Sequence, residues 1–475
     1  MVLKLKFKLL ILLSFHFGIS EPIFPTEATI NEIESEWENQ FKIGKLNYYS
    51  NYIYSETQNK FYTRFFRKNK YWSYGFRIGD QLNSTSPRIE RVFLKITNES
   101  LFIQIGSYKI NTGKMLSFGS DYGPSFQPET VNSLSKNYWS FKSSLSSTST
   151  SNNSGLISGY QNKILKFNYL NDFSKKENYL FLEVNFINIK IGCVAPLKSK
   201  YQSIFIEYAK NKFNVNAEYL NNSAIMSIHK KGDLFQYFIH LRYYQPYFTP
   251  FFGKHFRRLN PDYGEKGVIT SITRKLNNIK ISTGIDFYNP IKIVQYKDAS
   301  VDSRFYLNII SKIKNYEIGL DFEQRRFNDL ASYYKNNLEF FLYQNNTYNK
   351  LGIYSILKKT ILLKIQSIRL INSINQSQSY SFSIRHTGKQ LFEGKLKFGL
   401  IKFSVPSWQV RTFNYQPGLP GEFILNAHNG NGVSLFSVYS LPISKQSNFH
   451  FRASIEKLKD EKITYKIGLQ LNIGF

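Results

Sequence analysis

The sequence predicts an all-β fold, a transmembrane antiparallel β-barrel of about 24 to 26 strands preceded by a short N-terminal periplasmic helix. Three observations lead to this prediction. Apolar and polar residues alternate over the last fourteen residues, from Lys462 to Phe475. The same two-residue period recurs along the chain, for example from Ile279 to Phe287. After the first twenty residues, no run of about eighteen apolar residues would span a membrane as a helix.

The C-terminal strand is the clearest single element. A period of two gives a strand one apolar face, here with Ile463 and Tyr465, and one polar face, here with Lys462 and Lys466. An aromatic last residue, Phe475, is typical of the closing strand of bacterial outer-membrane barrels. The sequence therefore predicts the outer membrane of a Gram-negative-type bacterium. We expect this strand to engage the barrel assembly machinery, and the apolar parity to contact outer-membrane lipid and lipopolysaccharide.

Two segments precede the predicted barrel. Residues 1–20 combine three lysines, a short apolar run and small residues at the end, which is the pattern of a signal peptide. Residues 21–41 contain six Glu and no Lys or Arg. Their spacing predicts an acidic amphipathic periplasmic helix with the apolar positions Ile30, Ile33, Trp37 and Phe41. This helix is either a plug or lid for the barrel, or a simple periplasmic leader.

Residues 42–475 are predicted to form the barrel. At roughly 16 to 18 residues for each strand with its connection, this length gives the strand number above. Two stretches without alternation, residues 112–136 and 143–154, predict long connections that are either surface loops or constrictions of the pore. Turn signals separate the alternating runs, at Asn221-Asn222, Lys231-Gly232-Asp233, Leu276-Asn277-Asn278, Asn345-Asn346 and Thr387-Gly388.

The net charge is +29; the signal contributes +3 and residues 21–41 contribute −6, so the rest of the chain carries +32. Because the lipid-facing parity is apolar, these charges are expected in the lumen, in loops or at lipid headgroups. A basic lumen favours an anionic solute or nucleic acid. The alternative is the coding bias of an AT-rich genome, which enriches Lys, Asn, Ile, Phe and Tyr regardless of function. The candidate lumen-facing basic residues are Lys280, Arg304, Arg452 and Lys466.

Residues 235–258 interleave aromatic and basic side chains, a pattern that binds single-stranded nucleic acid or sugars by stacking. An aromatic girdle at the membrane interface, running into a loop, explains the same residues. The candidate patch consists of Arg242, Tyr243, Tyr244, Phe256, Arg257 and Arg258.

Several motifs between residues 100 and 475 agree in order and spacing with one known family. They are GSYKINTGKML at 106–116, LRYYQPYFTP at 241–250, GEKGV at 264–268, DFYNP at 286–290 and GNGV at 430–433. With these motifs the chain resembles the barrel region of the helix-hairpin-helix-containing outer-membrane proteins of Bacteroidetes and related phyla. The resemblance implies a barrel and assigns no activity to residues. Lys114 stands where the family usually has Gln followed by Gly, and the repeats that suggest DNA contact in that family are absent here.

The sequence shows no local catalytic signature. The histidines are scattered without metal-ligand spacing, no Gly-x-Ser-x-Gly motif occurs, and the single cysteine, Cys193, is expected to be a small residue on a strand. We therefore expect no enzyme, no cofactor and no metal site.

The expected function is a channel, transporter or translocation conduit with a basic polar lumen, whose cargo and periplasmic partner the sequence does not identify. The alternatives are a non-conducting binding or assembly platform, including a role in nucleic-acid uptake, and a barrel-type hydrolase.

Overall fold

The computed structural model describes residues 46–55, 58–79, 88–113, 116, 138–145, 153–251, 258–259, 261–291, 301–335, 338–358, 360–372, 376–420, 423–459 and 461–474. The predicted signal peptide and the predicted acidic helix, with Ile30, Ile33, Trp37 and Phe41, lie outside the described residues. Phe256, Arg257 and Phe475 lie outside them as well.

The described residues form 27 strands and two short 3-10 helices. The first fourteen strands are β1 (Leu46–Ser55), β2 (Gln58–Lys68), β3 (Trp72–Gly79), β4 (Arg88–Thr97), β5 (Leu101–Gly113), β6 (Tyr138–Ser143), β7 (Ser154–Gln161), β8 (Leu165–Asp172), β9 (Glu177–Asn185), β10 (Ile189–Pro196), β11 (Ser203–Lys210), β12 (Phe213–Leu220), β13 (Ser223–Lys231) and β14 (Phe235–Tyr244). The others are β15 (Glu265–Leu276), β16 (Ile279–Asn289), β17 (Asp302–Ile313), β18 (Tyr316–Lys335), β19 (Leu338–Leu357), β20 (Ile361–Ile371), β21 (Gln376–Leu391), β22 (Gly394–Val405), β23 (Thr412–Pro417), β24 (Phe423–His428), β25 (Gly430–Ser444), β26 (Ser447–Leu458) and β27 (Thr464–Gly474). The 3-10 helices are Pro261–Tyr263 and Trp408–Val410.

The strands close into a ring. The main sheet has 25 strands, and β1 pairs with β2 on one side and with β27 on the other. Among the described residues β6 pairs with the end of β5 alone, so the ring itself has 24 strands. All neighbours are antiparallel. A closed ring satisfies its backbone groups without an edge, as a membrane-spanning β protein requires. The predicted barrel is confirmed, and its strand number lies within the predicted range.

The two faces of the wall differ in chemistry. On β11, the residues Ile204 and Ile206 are 53% and 47% exposed on the outer face. The alternate residues Ser203, Phe205 and Glu207 are buried on the inner face. The same alternation of exposed apolar and buried polar residues continues in β14 and β16. An apolar outer face and a polar inner face are what a membrane barrel with a hydrated interior needs.

The two ends of the barrel carry different connections. The end that holds Leu46 and Gly474 has turns of two or three residues, such as 211–212, 277–278 and 392–393. The opposite end carries the long connections, including 245–264, 290–301 and 406–429. In outer-membrane barrels the short turns are periplasmic and the long loops extracellular. We call the end with the long connections the loop end.

Exposed aromatic residues mark two belts on the outer face. Aromatic girdles of this kind lie at the two membrane interfaces, where the rings are partly apolar and partly hydrated. The belt near the short turns includes Tyr71, Phe186, Phe235, Tyr316 and Phe392. The belt near the loop end includes Tyr201, Tyr219, Tyr243, Phe287 and Tyr380.

Glycines on the inner parity face large rings on the next strand. At Gly284 and Gly319, an added Cβ would overlap the rings of Tyr306 and Tyr354, their direct cross-strand partners. The ring therefore lies flat on the wall instead of projecting into the lumen. The same arrangement recurs in the pairs Gly75/Phe93, Gly159/Phe102, Gly192/Phe205 and Gly432/Phe403.

Two predicted turns are wrong. Asn345 and Asn346 lie inside β19 and pair with Asn328 and Phe327 of β18, because the pairing of these two strands continues as far as Lys335 and Leu338. Gly388 lies inside β21, where the register to β22 shifts between His386 and Lys389. At this bulge Gly388 has φ +137°, a backbone conformation that glycine adopts easily. The predicted turns at 221–222, 231–233 and 276–278 do connect strands.

Candidate functional site in the barrel lumen

The first inward segment begins within β5. Residues up to Ser107 pair with β7, whereas those from Tyr108 pair with β6. The change comes shortly after Gly106, which has φ +101° and where a Cβ would overlap the carbonyl oxygen of Val92. Only glycine fits this close approach, and the chain leaves the wall between Ser107 and Tyr108.

The segment that leaves the wall packs on its inner face. Phe141 of β6 meets Phe181 edge to face, with ring centroids 5.0 Å apart. Farther along the wall, Leu116 lies in a buried cluster with Tyr244, and its backbone N–H donates to Glu218 Oε2 at 3.1 Å. The apolar cluster beneath the segment consists of Phe102, Tyr108, Ile110, Phe141, Ile157, Leu170, Tyr179, Phe181 and Val194. Residues 112–113, which begin the predicted 112–136 connection, and Leu116 therefore lie inside the barrel.

The second inward segment is the hairpin of β23 and β24, between β22 and β25. It has apolar anchors at both ends: Val410 packs with inner-facing Ile401 and Phe403, and Leu419 lies against Gly468 of β27. A Cβ on Gly468 would be 2.9 Å from the Leu419 side chain. The absence of a side chain at Gly468 thus makes room for the tip of the hairpin.

Between its anchors the hairpin is held by polar contacts. Gln416 Nε2 donates to Ser434 Oγ, and Arg452 Nη2 donates to Gln416 Oε1, both at 3.2 Å. His428 Nδ1 lies 3.0 Å from Glu456 Oε2. Beside these contacts, a polar cavity of about 220 Å³ lies between the hairpin and the wall, and Lys466 is among its lining residues. The lumen on this side is therefore hydrophilic instead of a packed apolar core.

A buried ionic network, which we call the Arg242 network, lies on the inner wall near the loop end. Arg242 contacts Glu265 through Nε and Asp286 through Nη1, the latter at 2.8 Å. Arg258, from the 245–264 connection, also pairs with Asp286 at 2.8 Å. The backbone N–H groups of Arg258 and Leu259 donate to Glu265 Oε2 at 2.6 and 2.7 Å. The network therefore ties this long connection to three strands.

The geometry of the network depends on a glycine. Gly267 of β15 lies directly opposite Arg242, and a Cβ there would be 2.6 Å from the guanidinium carbon. Arg242 can therefore lie across β15 and reach Asp286 on β16. A second ionic group continues around the wall, where Glu323 of β18 pairs with Arg304 at 2.5 Å and with Arg325.

The four basic residues that the sequence predicts to face the lumen lie at different positions on the inner wall. Lys280 shares the parity of Ser282 and Asp286, and Lys466 shares that of Gly468 and Gln470. Arg304 belongs to the ionic group of Glu323, and Arg452 contacts the second inward hairpin.

The predicted aromatic and basic patch is not one surface in the described chain. Arg242 and Tyr244 are buried on the inner face, whereas Tyr243 is 39% exposed on the outer face and belongs to an aromatic belt. Arg258 joins Arg242 through Asp286. The sequence did not identify Glu265 and Asp286 as the acidic partners of Arg242, although they lie in the motifs GEKGV (264–268) and DFYNP (286–290).

Among the described residues, no helix is long and apolar enough to cross a membrane. In the same ranges no group of three or more His, Cys, Asp and Glu side chains is placed to hold a metal ion. Cys193 lies on the outer parity of β10 as a free thiol.

Comparison with known proteins gives a general likeness to barrel structures. No family model and no curated protein matches the sequence. The chain is similar to the FrpB iron transporter from Neisseria meningitidis (F3-3 variant), with TM-score 0.44 and 7% identity over 92% of this chain and 82% of that chain. It is also similar to BauA, the ferric preacinetobactin receptor from Acinetobacter baumannii, with TM-score 0.36 and 10% identity over 91% of this chain and 80% of that chain. The likeness to OccK11 (OpdR) from Pseudomonas aeruginosa has TM-score 0.32 and 7% identity over 91% of this chain and 95% of that chain. The resemblance to the helix-hairpin-helix-associated barrels stays a prediction.

Proposed function

We propose that this chain is an outer-membrane conduit whose polar lumen is narrowed by two inward segments and lets small hydrophilic solutes cross, with anions preferred. The observation that supports this most is the inner face, which carries buried polar and charged side chains around the ring under an apolar outer face. Barrels of 16 or more strands enclose an aqueous channel or a plugged lumen. The 24 strands of this ring place it in that class.

The preference for anions follows from the charges on the inner parity. Lys280 and Lys466 lie on that parity at different positions around the ring, and rings of basic side chains favour anions in pores. Fixed charges act over about 10 Å at 0.1 M salt, so selectivity should fall as ionic strength rises.

Conductance of the purified barrel in planar lipid bilayers tests this proposal. We expect stepwise conductance with anion selectivity, and a loss of selectivity in Lys280→Glu and Lys466→Glu. Lys266→Glu and Lys402→Glu are matched controls, because these lysines lie on the outer parity of β15 and β22. The absence of conductance would refute the conduit, and equal effects of the inner and outer reversals would refute the anion preference.

The second inward hairpin offers a further test of the restricted lumen. In a Cys193→Ser background, Leu419→Cys with Gly468→Cys would tether the hairpin tip to β27, where the two positions are in contact. Ser377→Cys with Ser407→Cys is the matched control at the base, where the hydroxyls are 3.1 Å apart. Removing residues 412–428 should raise conductance, whereas the two tethered variants should keep the narrow pore. An unchanged conductance after the deletion would show that the hairpin does not restrict passage.

A second candidate function is a non-conducting platform that binds or assembles partners. The observation in its favour is that both inward segments occupy the lumen and pack on opposite stretches of the wall. The same bilayer experiment separates the two functions, because a platform with a filled lumen should remain closed to ions and stay closed after the hairpin is tethered.

A further inference from the structure

The polar cavity beneath the second inward hairpin, which we call the hairpin cavity, has a floor of three neighbouring wall strands. The floor consists of inner-parity residues of β25, β26 and β27. Ser434 lies directly opposite Glu456, and Glu456 lies directly opposite Thr464. One step farther from the loop end, Ser454 lies opposite Lys466. These five residues line the cavity with hydroxyl groups, a carboxylate and an ammonium group.

Contacts on two sides hold the hairpin above this floor. Toward the hairpin tip, Gln416 Nε2 donates to Ser434 Oγ and Arg452 Nη2 donates to Gln416 Oε1, both at 3.2 Å. Toward the hairpin base, the fully buried side chain of His428 lies with Nδ1 3.0 Å from Glu456 Oε2. The cavity is therefore preformed, as small-molecule sites usually are.

Two opposite charges line the hairpin cavity without pairing to each other. Glu456 and Lys466 are diagonal neighbours across β26 and β27, a spacing of about 7–8 Å. Among the described residues, Lys466 Nζ has no ion-pair or hydrogen-bond partner, and the contact of Glu456 with His428 uses Oε2 and leaves Oε1 available. The Glu456 side chain is 31% exposed, so a solute in the lumen can reach it. The cavity thus offers one anchor for a cation and another for an anion.

We propose that the hairpin cavity binds a small zwitterionic solute of the α-amino-acid class. The carboxylate of such a solute pairs with Lys466, and its ammonium group pairs with Glu456. The hydroxyls of Ser454 and Thr464 and the amide of Asn426 remain for a polar side group. A water molecule occupies about 30 Å³ of liquid, so a cavity of about 220 Å³ has room for roughly seven heavy atoms, the size of serine.

A zwitterion fits these charges better than a solute with one charge. A singly charged solute leaves either Lys466 or Glu456 without a counter-charge in a partly enclosed site, which is unfavourable. An uncharged solute leaves both of them so. The inference deepens the proposed function by naming a solute class, and it rests on that function only for the access of solutes to the lumen.

Calorimetric titration of the detergent-solubilised full chain with L-serine tests the site at constant ionic strength. We expect saturable binding that acetate, ethanolamine and glycerol do not reproduce, because each of them lacks one or both charges. Lys466→Gln and Glu456→Gln should each weaken serine binding about tenfold or more, since each removes a charge-assisted contact.

A tethered background separates the charge of Glu456 from its contact with the hairpin. Leu419→Cys with Gly468→Cys, in the Cys193→Ser background, keeps the hairpin tip on β27. Glu456→Gln should weaken serine binding equally in this background, because the carboxylate itself binds the solute. A loss confined to the untethered chain would overturn the pairing with Glu456.

The matched controls remove one charge of each sign far from the cavity. Lys402→Gln lies on the outer parity of β22, and Glu393→Gln lies in a short turn at the opposite end of the barrel. Both should leave serine affinity unchanged, and gel mobility identifies the variants that have folded. Equal serine affinity in folded Lys466→Gln and the parent, or equal affinity for serine and acetate, would overturn the proposal. A barrel that binds serine without conducting refutes the conduit alone, whereas a barrel that conducts without binding serine refutes this inference alone.

Discussion

Arg242→Ala is expected to lower the free energy of unfolding by about 3 kcal/mol, the lower end of the range for removing one partner of a buried ion pair. Arg242 itself is fully buried in its side chain, and its partners Glu265 and Asp286 have side-chain exposures of 1% and 0%. The substitution leaves both carboxylates in a site without bulk water. The loss should not reach the upper end of about 5 kcal/mol, because Asp286 keeps Arg258 and Glu265 keeps two backbone N–H donors.

The measurement is urea unfolding of the purified barrel in detergent, followed by tryptophan fluorescence and by gel mobility. A loss of about 3 kcal/mol corresponds to roughly a 150-fold change in the unfolding equilibrium constant. A matched control is Lys212→Ala, which removes the partner of Asp233 in an exposed pair with side-chain exposures of 57% and 88%. This control should show no measurable change, because solvent screens such pairs.

A double-mutant cycle separates pairing from the rest of the effect. Asp286→Asn removes one of the stranded carboxylates, so Arg242→Ala combined with Asp286→Asn should cost less than the sum of the two single changes. Trypsin cleavage after Arg258 supplies a second readout, because the network ties this residue to the wall. A stability within the error of the parent for Arg242→Ala, or additive effects in the cycle, would refute the view that this network holds the loop end together.

Three further predictions concern the wall. Gly319→Ala should destabilise the barrel by about 1–3 kcal/mol, because the Tyr354 ring occupies the space of the new methyl group. Gly352→Ala is the control and should be tolerated, since the atom nearest to its new Cβ is 3.4 Å away. Urea unfolding compares the two variants, and equal losses of stability would contradict the ring packing. Ile206→Lys should cost about 2–4 kcal/mol in lipid vesicles if the residue faces the bilayer core, and a cost near zero would contradict that orientation. Gly267→Leu should reproduce part of the Arg242→Ala loss by displacing the guanidinium group, and its effect should vanish in an Arg242→Ala background.

The barrel was predictable from the sequence because its signal is local. Each strand needs one apolar and one polar parity, and that pattern can be read within ten residues, as from Ile279 to Phe287. The distinction between a turn and a bulge was not predictable at Thr387-Gly388, since glycine fits both and the choice depends on the register to β22. At Asn345-Asn346 the turn signal was overridden by pairing with β18 along the extended hairpin.

The lumen sites were not predictable because they depend on register between strands far apart in sequence. Arg64, Arg77 and Arg91 become neighbours only through the pairings of β2 with β3 and of β3 with β4. Gln416 and Arg452 meet only because the hairpin folds inward, and its alternating polar residues read like those of an ordinary wall strand. Among the predicted basic residues, Arg304 and Arg452 have structural partners that no local pattern identifies.

The Arg242 network shows how buried arginines on the inner wall stabilise the fold when carboxylates meet them. In the Arg242 network, Arg242 and Arg258 meet two carboxylates, so the charges balance within the protein and the network stabilises the fold. Removing the charge of Arg242 should therefore lower stability, whereas removing Lys212 from its exposed pair with Asp233 should not, because solvent screens that pair.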